Sequence, residues 1–188
     1  MTPEVALATR DALPDPLRVL IKEFPRQGWE QNPNYSQLIA FWLDRHLMFR
    51  RLLAQLQSDA ETAMDKDLAP DRYKRQLAQY GGMLINQLHG HHQIEDMQYF
   101  PVMSRLDTRV RKGFGILDAD HHALDGILAG LTDAANGVLQ AKDKKMVDPL
   151  AKLHASLTDF APMLDRHLVD EEELVVPVLL KYAPPEFR

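Results

Sequence analysis

The sequence predicts an all-α protein: an up-down four-helix bundle preceded by an N-terminal arm. Three observations carry that expectation. Apolar residues recur every three or four positions over four long stretches. Alternating, strand-like patterns are scarce. The joints between the stretches are short and marked by prolines, which makes successive helices antiparallel neighbours.

Residues 1–32 contain Pro3, Pro14, Pro16, Pro25 and Gly28 and read as an arm outside the bundle. Leu13, Leu17, Leu20, Ile21 and Phe24 form a short apolar stripe within it, suited to packing across the bundle or, alternatively, to a homodimer contact. The bundle itself is expected over 33–181, with a short tail at 182–188. Its first helix opens at about Pro33, with Asn32 as cap, and reaches about Met64. Asp67 and Pro70 open the second, which should end before Pro101. The third runs from near Gly113 to about Ala141. The fourth runs from near Asp148-Pro149, contains Pro162, and should end before Pro177.

Composition bounds the function. At 188 residues there is room for one ordinary domain, and 45% apolar with 26% charged residues is a globular balance. A net charge of −5, without any basic run, argues against nucleic acid and anionic membranes as partners. The absence of cysteine excludes disulfides, thiolate metal sites and cysteine nucleophiles. The first residues, Met1-Thr2-Pro3-Glu4, lack the apolar core of a signal peptide, and no stretch approaches the roughly 20 apolar residues of a membrane span. A cytoplasmic protein is the expectation.

Each helix's apolar stripe is interrupted by one histidine. The first runs Ile39, Leu43, His46, Phe49, Leu53, Leu56; the second Leu77, Gly81, Leu84, Leu88, His91, Glu95. The third runs Phe114, Leu117, His121, Leu124, Leu128, Leu131; the fourth Leu150, Leu153, Leu157, Phe160, Leu164, His167, Glu171. Polar and charged groups on a core-facing stripe cost several kcal/mol each unless they are satisfied. Four histidines and two glutamates converging on one interior call for cations, and imidazole with carboxylate suits iron, manganese or zinc. By the same phase reasoning His92 lies about 100° off the His91 line, and His122 shares a polar face with Asp118 and Asp125. His92, His122 and Asp125 are therefore secondary candidates, as additional ligands or as groups behind the ligands. His89 and His154 read as lying off the seam. In the row Asp170-Glu171-Glu172-Glu173 only Glu171 is in phase, and the others read as solvated. Trp42, Phe41 and Met48 read as core packing.

The arrangement occurs twice. His91-x-x-x-Glu95 is followed by Pro101, ten residues beyond the histidine, and His167-x-x-x-Glu171 by Pro177, again ten beyond. His46 lies 45 residues before His91, and His121 lies 46 before His167. Two helix hairpins with matching sites indicate an internal duplication. Six protein ligands are too few to saturate two octahedral irons, which leaves positions open for water or a small ligand.

The order His / His-x-x-x-Glu / His / His-x-x-x-Glu on four helices resembles the hemerythrin-like, or HHE cation-binding, domain family. The resemblance covers about 33–181, carried chiefly by His91-His92-Gln93-Ile94-Glu95-Asp96 to Phe100-Pro101 and by His167 through Glu171-Glu172 to Pro177. It implies an oxo- or hydroxo-bridged di-iron centre that binds oxygen or a related small molecule. There is one departure. Oxygen-carrying hemerythrins place two histidines four apart on the third helix, whereas the positions four from His121 are Leu117 and Asp125. A fifth nitrogen would have to come from His92 or His122, and without it a more open, more reactive or sensing site is favoured over simple oxygen carriage.

Three function classes follow: a protein binding or sensing oxygen, nitric oxide or peroxide, with a separate protein partner if it signals; a di-iron enzyme reducing peroxide or nitric oxide; or an iron-handling, storage protein. A zinc-only structural site is weaker, because such sites take four ligands. His-Glu-x-x-His and Glu-x-x-His are both absent, which excludes zincin chemistry and ferritin-type carboxylate sites.

Overall fold

The computed structural model describes residues 5–142 and 145–187, and in these the regular structure is entirely helical. A short α1 (Val19–Glu23) is followed by α2 (Gln37–Met64), α3 (Pro70–Ile94), a π turn (Glu95–Tyr99), α4 (Phe100–Leu106), α5 (Arg111–Gln140) and α6 (Val147–Tyr182). Among the described residues no helix is long and apolar enough to cross a membrane. The all-helical class and the helical-bundle character expected from the sequence are both present.

The chain divides into two compact units, and α2, α3, α5 and α6 each contribute a stretch to both. The first unit comprises 1–47, 92–123 and 165–188. Its core holds Ile39 and Trp42 of α2, Phe100 and Met103 of α4, Phe114 and Leu117 of α5, and Leu174 to Leu180 of α6 except Pro177. Leu13, Leu20 and Trp29 from the arm belong to the same core, with Ile21 and Phe24 packed partly buried against it, so the arm's apolar stripe is covered within the chain. Trp29 is fixed further by its indole N–H, which donates to Phe24 O at 2.8 Å.

The second unit comprises 48–91 and 124–164. Its buried residues follow the expected stripes: Phe49, Leu53 and Leu56; Leu77, Leu84 and Leu88; Leu124, Leu128 and Leu131; Leu150, Leu153, Leu157, Phe160 and Leu164. The turn leaving α2 is made by Lys66 at φ 65, with Asp67 N–H donating to Thr62 O at 3.1 Å and Lys66 N–H to Ala63 O at 3.2 Å, a left-handed helix stop.

Three boundaries differ from the sequence expectation. The first long helix begins at Gln37, not Pro33: the Asn32 side chain accepts from Asn34 N–H (2.9 Å) in a turn, and Ser36 Oγ accepts from Ile39 N–H (3.4 Å) as the cap. Pro101 does not end the second. It lacks an N–H, and the chain responds with a π turn in which Phe100 N–H donates to Glu95 O, after which helix continues to Leu106. Pro177 lies inside α6, which runs to Tyr182. An internal proline costs about 3 kcal/mol, and burying Leu174, Val175, Val176, Val178, Leu179 and Leu180, at about 1.5–3 kcal/mol each, outweighs it. The helix stops at Ala183, φ 40, before Pro184 and Pro185.

Two burial expectations are also corrected. Phe41 is exposed, with the Arg45 guanidinium over its ring, while neighbouring Trp42 is buried. Asp170 and Glu172 are as buried as Glu171 (1%, 4% and 0% exposed), and Glu173 is half-buried. That row is not a solvated run, because the arm covers the face on which it lies: Leu13 N–H and Arg10 bond Asp170, Arg26 bonds Glu172 and Arg18 bonds Glu173.

Candidate metal centre

The first unit brings histidines from three helices together. His92, at the end of α3, stacks on His121 of α5 with ring centroids 4.0 Å apart, and His167 of α6 stands edge-on at 4.9 Å from His121 and 5.3 Å from His92. All three are buried, and each offers a ring nitrogen within 4.8 Å of the others. His46 of α2 and the carboxylates of Glu95 and Glu171 form a second group of mutually close, buried donors, again within 4.8 Å.

Glu171 joins the two groups. Its Oε1 lies 3.4 Å from His46 Nε2, and its Oε2 lies 3.5 Å from His167 Nε2. Glu95 Oε2 lies 3.6 Å from His121 Nε2. The Trp42 indole N–H donates to Glu171 Oε1, which fixes that carboxylate from the α2 side.

Each of three rings is turned by a carboxylate behind it. His46 Nδ1 lies 3.0 Å from Glu172 Oε1, His121 Nδ1 2.8 Å from Asp96 Oδ1, and His167 Nδ1 3.3 Å from Asp120 Oδ2. A carboxylate only accepts, so Nδ1 carries the proton and Nε2 presents a lone pair inward. Nε2 of His121 and of His167 is buried with no hydrogen-bond partner among the described residues. Inward imidazole lone pairs, each held by an outer carboxylate, are the arrangement of metal-ligating histidines.

The charges point the same way. Burial, and then the charge of Glu171, push the Glu95 carboxyl well above the usual range. Burial works against a charged His46, but Glu171 and Glu172 together outweigh that and raise its pKa. Burial lowers that of His167 despite Asp120. Burial also works against the Asp120 carboxylate, but hydrogen bonds from Arg10 and His167 hold it below the ordinary value. Two carboxylates buried among imidazoles repel one another until a cation lies between them, so the donors present fit a metal.

Of the residues singled out from the sequence, His46, Glu95, His121, His167 and Glu171 lie together in the first unit. His91 is half-buried, ends the second unit's stretch of α3, and has its ring 5.2 Å from Phe49. The ranking of His91 over His92 is reversed in burial: His92 is 3% exposed and stands among the imidazoles. The stripe forks after Leu88, because both three and four residues on are permitted helical steps, and Leu84-Leu88-His92-Glu95 is an equally regular path. His122 and Asp125 are exposed and outside both groups; Asp125 meets exposed His89 at 3.4 Å. Half-buried His154 pairs with Glu61 at 3.3 Å. The carboxylates behind the rings, Asp96, Asp120 and Glu172, were not apparent from the stripes, because each lies one residue off them.

No curated protein and no solved structure matches the chain. The hemerythrin HHE cation-binding domain matches residues 37–179, three quarters of its length and both site segments. The chain therefore belongs to the hemerythrin HHE cation-binding domain family.

Proposed function

We propose that this protein is a non-haem di-iron protein that binds or senses a small molecule, oxygen, nitric oxide or peroxide, at an open iron position. The observation that carries the reading is the placement of the two Glu171 oxygens, one toward His46 and the other toward His167, so that one carboxylate serves two donor groups. His92, His121 and His167 would hold one iron. His46 and His91, the latter one helical turn before Glu95, would hold the other, with Glu95 and Glu171 shared. His92 would then supply the fifth nitrogen, and a metal held by these residues would offer exchangeable positions to an exogenous ligand.

Iron bound there supplies redox-active, exchangeable coordination positions. The chain supplies selectivity. The donors of the first unit are at most 3% exposed, and Phe100 stacks on His121 at 5.5 Å, so only a small molecule fits among them. The short connections between α2 and α3, α4 and α5, and α5 and α6 support an antiparallel up-down order for the domain over 33–181, with the arm before it and 182–188 as a tail.

The test is metal analysis of protein produced with adequate iron, followed by absorption spectra under oxygen, azide and peroxide. About two irons per chain are expected, with bands that respond to these additions. A single zinc with no affinity for a second ion would refute the reading. Steady consumption of peroxide or nitric oxide would move the assignment to the enzyme alternative.

A further inference from the structure

We propose that the N-terminal arm, which precedes the family-matched region, is a strap that positions two of the metal-binding imidazoles, with Arg10 and Arg26 as its positioning residues. The inference rests on the metal reading above and concerns a part of the chain that the family match does not reach, since that match begins at residue 37.

Apolar anchorage of the arm is already supplied by Leu13, Leu20 and Trp29. Two guanidinium groups are not needed for that purpose, and burying one is expensive unless it is fully paired. Arg10 is buried nonetheless. Its Nη1 donates to Asp120 Oδ1 at 2.8 Å, its Nη2 to Asp120 Oδ2, and its Nε to Asp170 Oδ2 at 2.8 Å. The side chains of all three residues are 1% exposed. Asp120 is the carboxylate behind His167. Arg26 Nη1 donates to Glu172 Oε2 at 2.6 Å, while the other oxygen of Glu172 faces His46 Nδ1. Arg26 is itself held over Trp29, its guanidinium carbon 4.7 Å from the ring centre.

Two relays therefore run from arm to site: Arg10 to Asp120 to His167, and Arg26 to Glu172 to His46. They end on the two imidazoles that Glu171 joins. The third carboxylate of this kind, Asp96 behind His121, is a quarter exposed. A forked guanidinium fixes the plane of a carboxylate, and that carboxylate fixes the ring and its tautomer. The arm thus sets how firmly the pair of metals is held.

The experiment loads wild type and variants with iron and follows its loss to an excess of chelator, together with the absorption spectrum of the loaded protein. Arg10→Ala and Arg26→Ala are expected to lose iron about tenfold faster, the low end of the range for removing an outer partner of a metal ligand because each arginine acts through such a partner, with shifted bands. Ile21→Ala, which thins the arm's packing and removes no charged group, should lose iron at the wild-type rate. Arg26→Lys should restore retention, because one N–H contact suffices there. Arg10→Lys should not, because the fork is lost. Arg26 is partly exposed, so its variants report even if Arg10→Ala does not fold. Loss from Arg26→Ala no faster than from Ile21→Ala overturns the strap while leaving the metal centre standing. Wild type that takes up no iron overturns both.

Discussion

The sharpest discrimination lies between two histidines that each follow another in sequence. His92→Ala removes a buried imidazole from the three-histidine group, whereas His122→Ala removes an exposed one. Losing an outer partner of a metal ligand weakens affinity about 10–100-fold, and losing a direct donor costs at least as much. At 1.4 kcal/mol per tenfold, the metal-dependent part of the stability should fall by about 1.4–2.8 kcal/mol. In a chain of this length a kcal/mol is about 2–4 °C, so the rise in thermal midpoint on adding iron should shrink by about 3–11 °C. The stacking on His121 is lost in the metal-free state as well, so the quantity to compare is the increment between iron-loaded and chelator-treated samples. His122→Ala should change neither increment nor metal content, with a total effect within about 0.5 kcal/mol. A His92→Ala protein that keeps two irons and the full increment would show that this imidazole only packs. Loss on His122→Ala instead would mean that α5 presents a different face to the site.

Other expectations follow from the same contacts. Glu95→Ala and Glu171→Ala should each abolish the paired-metal spectrum, and Glu173→Ala should leave it intact; Glu172→Ala should weaken binding about tenfold or more through His46, all read by metal titration. Asp107 is held well below the usual carboxylate range by its hydrogen bonds with Arg109, aided by Tyr182 and opposed by burial. Its stabilisation is therefore complete above the unfolded value of about 4 and drains away as pH falls below it, so Asp107→Asn should flatten the acid limb of a midpoint-against-pH curve. Gly115→Ala meets nothing within 4 Å and should stabilise α5 by about 0.5–1 kcal/mol in a denaturant titration. Gly113→Ala would put Cβ 2.8 Å from the Leu174 side chain, itself 1% exposed, and should cost about 1–3 kcal/mol instead.

The helical class and the core faces were legible because a 3.6-residue period repeats many times along each stretch, which averages out local ambiguity. Two kinds of information were not. A stripe fixes a face only to within one residue, so at the fork after Leu88 the period by itself did not justify reading the seam through His91 and setting His92 aside. Proline gives a local signal; at Pro101 a π turn absorbed it, and at Pro177 it was outweighed by the burial of the residues around it. The burial of Asp170 and Glu172 draws on Arg10, Leu13 and Arg26, more than 140 residues distant, and the local Arg166–Asp170 pair alone does not reveal it.

One part of the hidden information has a simple form once the contacts are known. Asp96 follows Glu95 and serves His121; Asp120 precedes His121 and serves His167; Glu172 follows Glu171 and serves His46. Each orienting carboxylate is the immediate neighbour of a site residue on its own helix and serves an imidazole on another. Helix geometry makes this reasonable. A residue one step from an inward-facing position projects about 100° away, too far to share the same interior point but well placed to reach the back of a ring presented by another helix. An acidic residue beside a seam residue is therefore half of a contact between two helices, and it ties the rotation of one to the ligand set of the other. The rows His-His-x-x-Glu-Asp and Asp-Glu-Glu-Glu, which look like excess charge when one helix is considered alone, fix the angular register of α2, α5 and α6 around the metal donors.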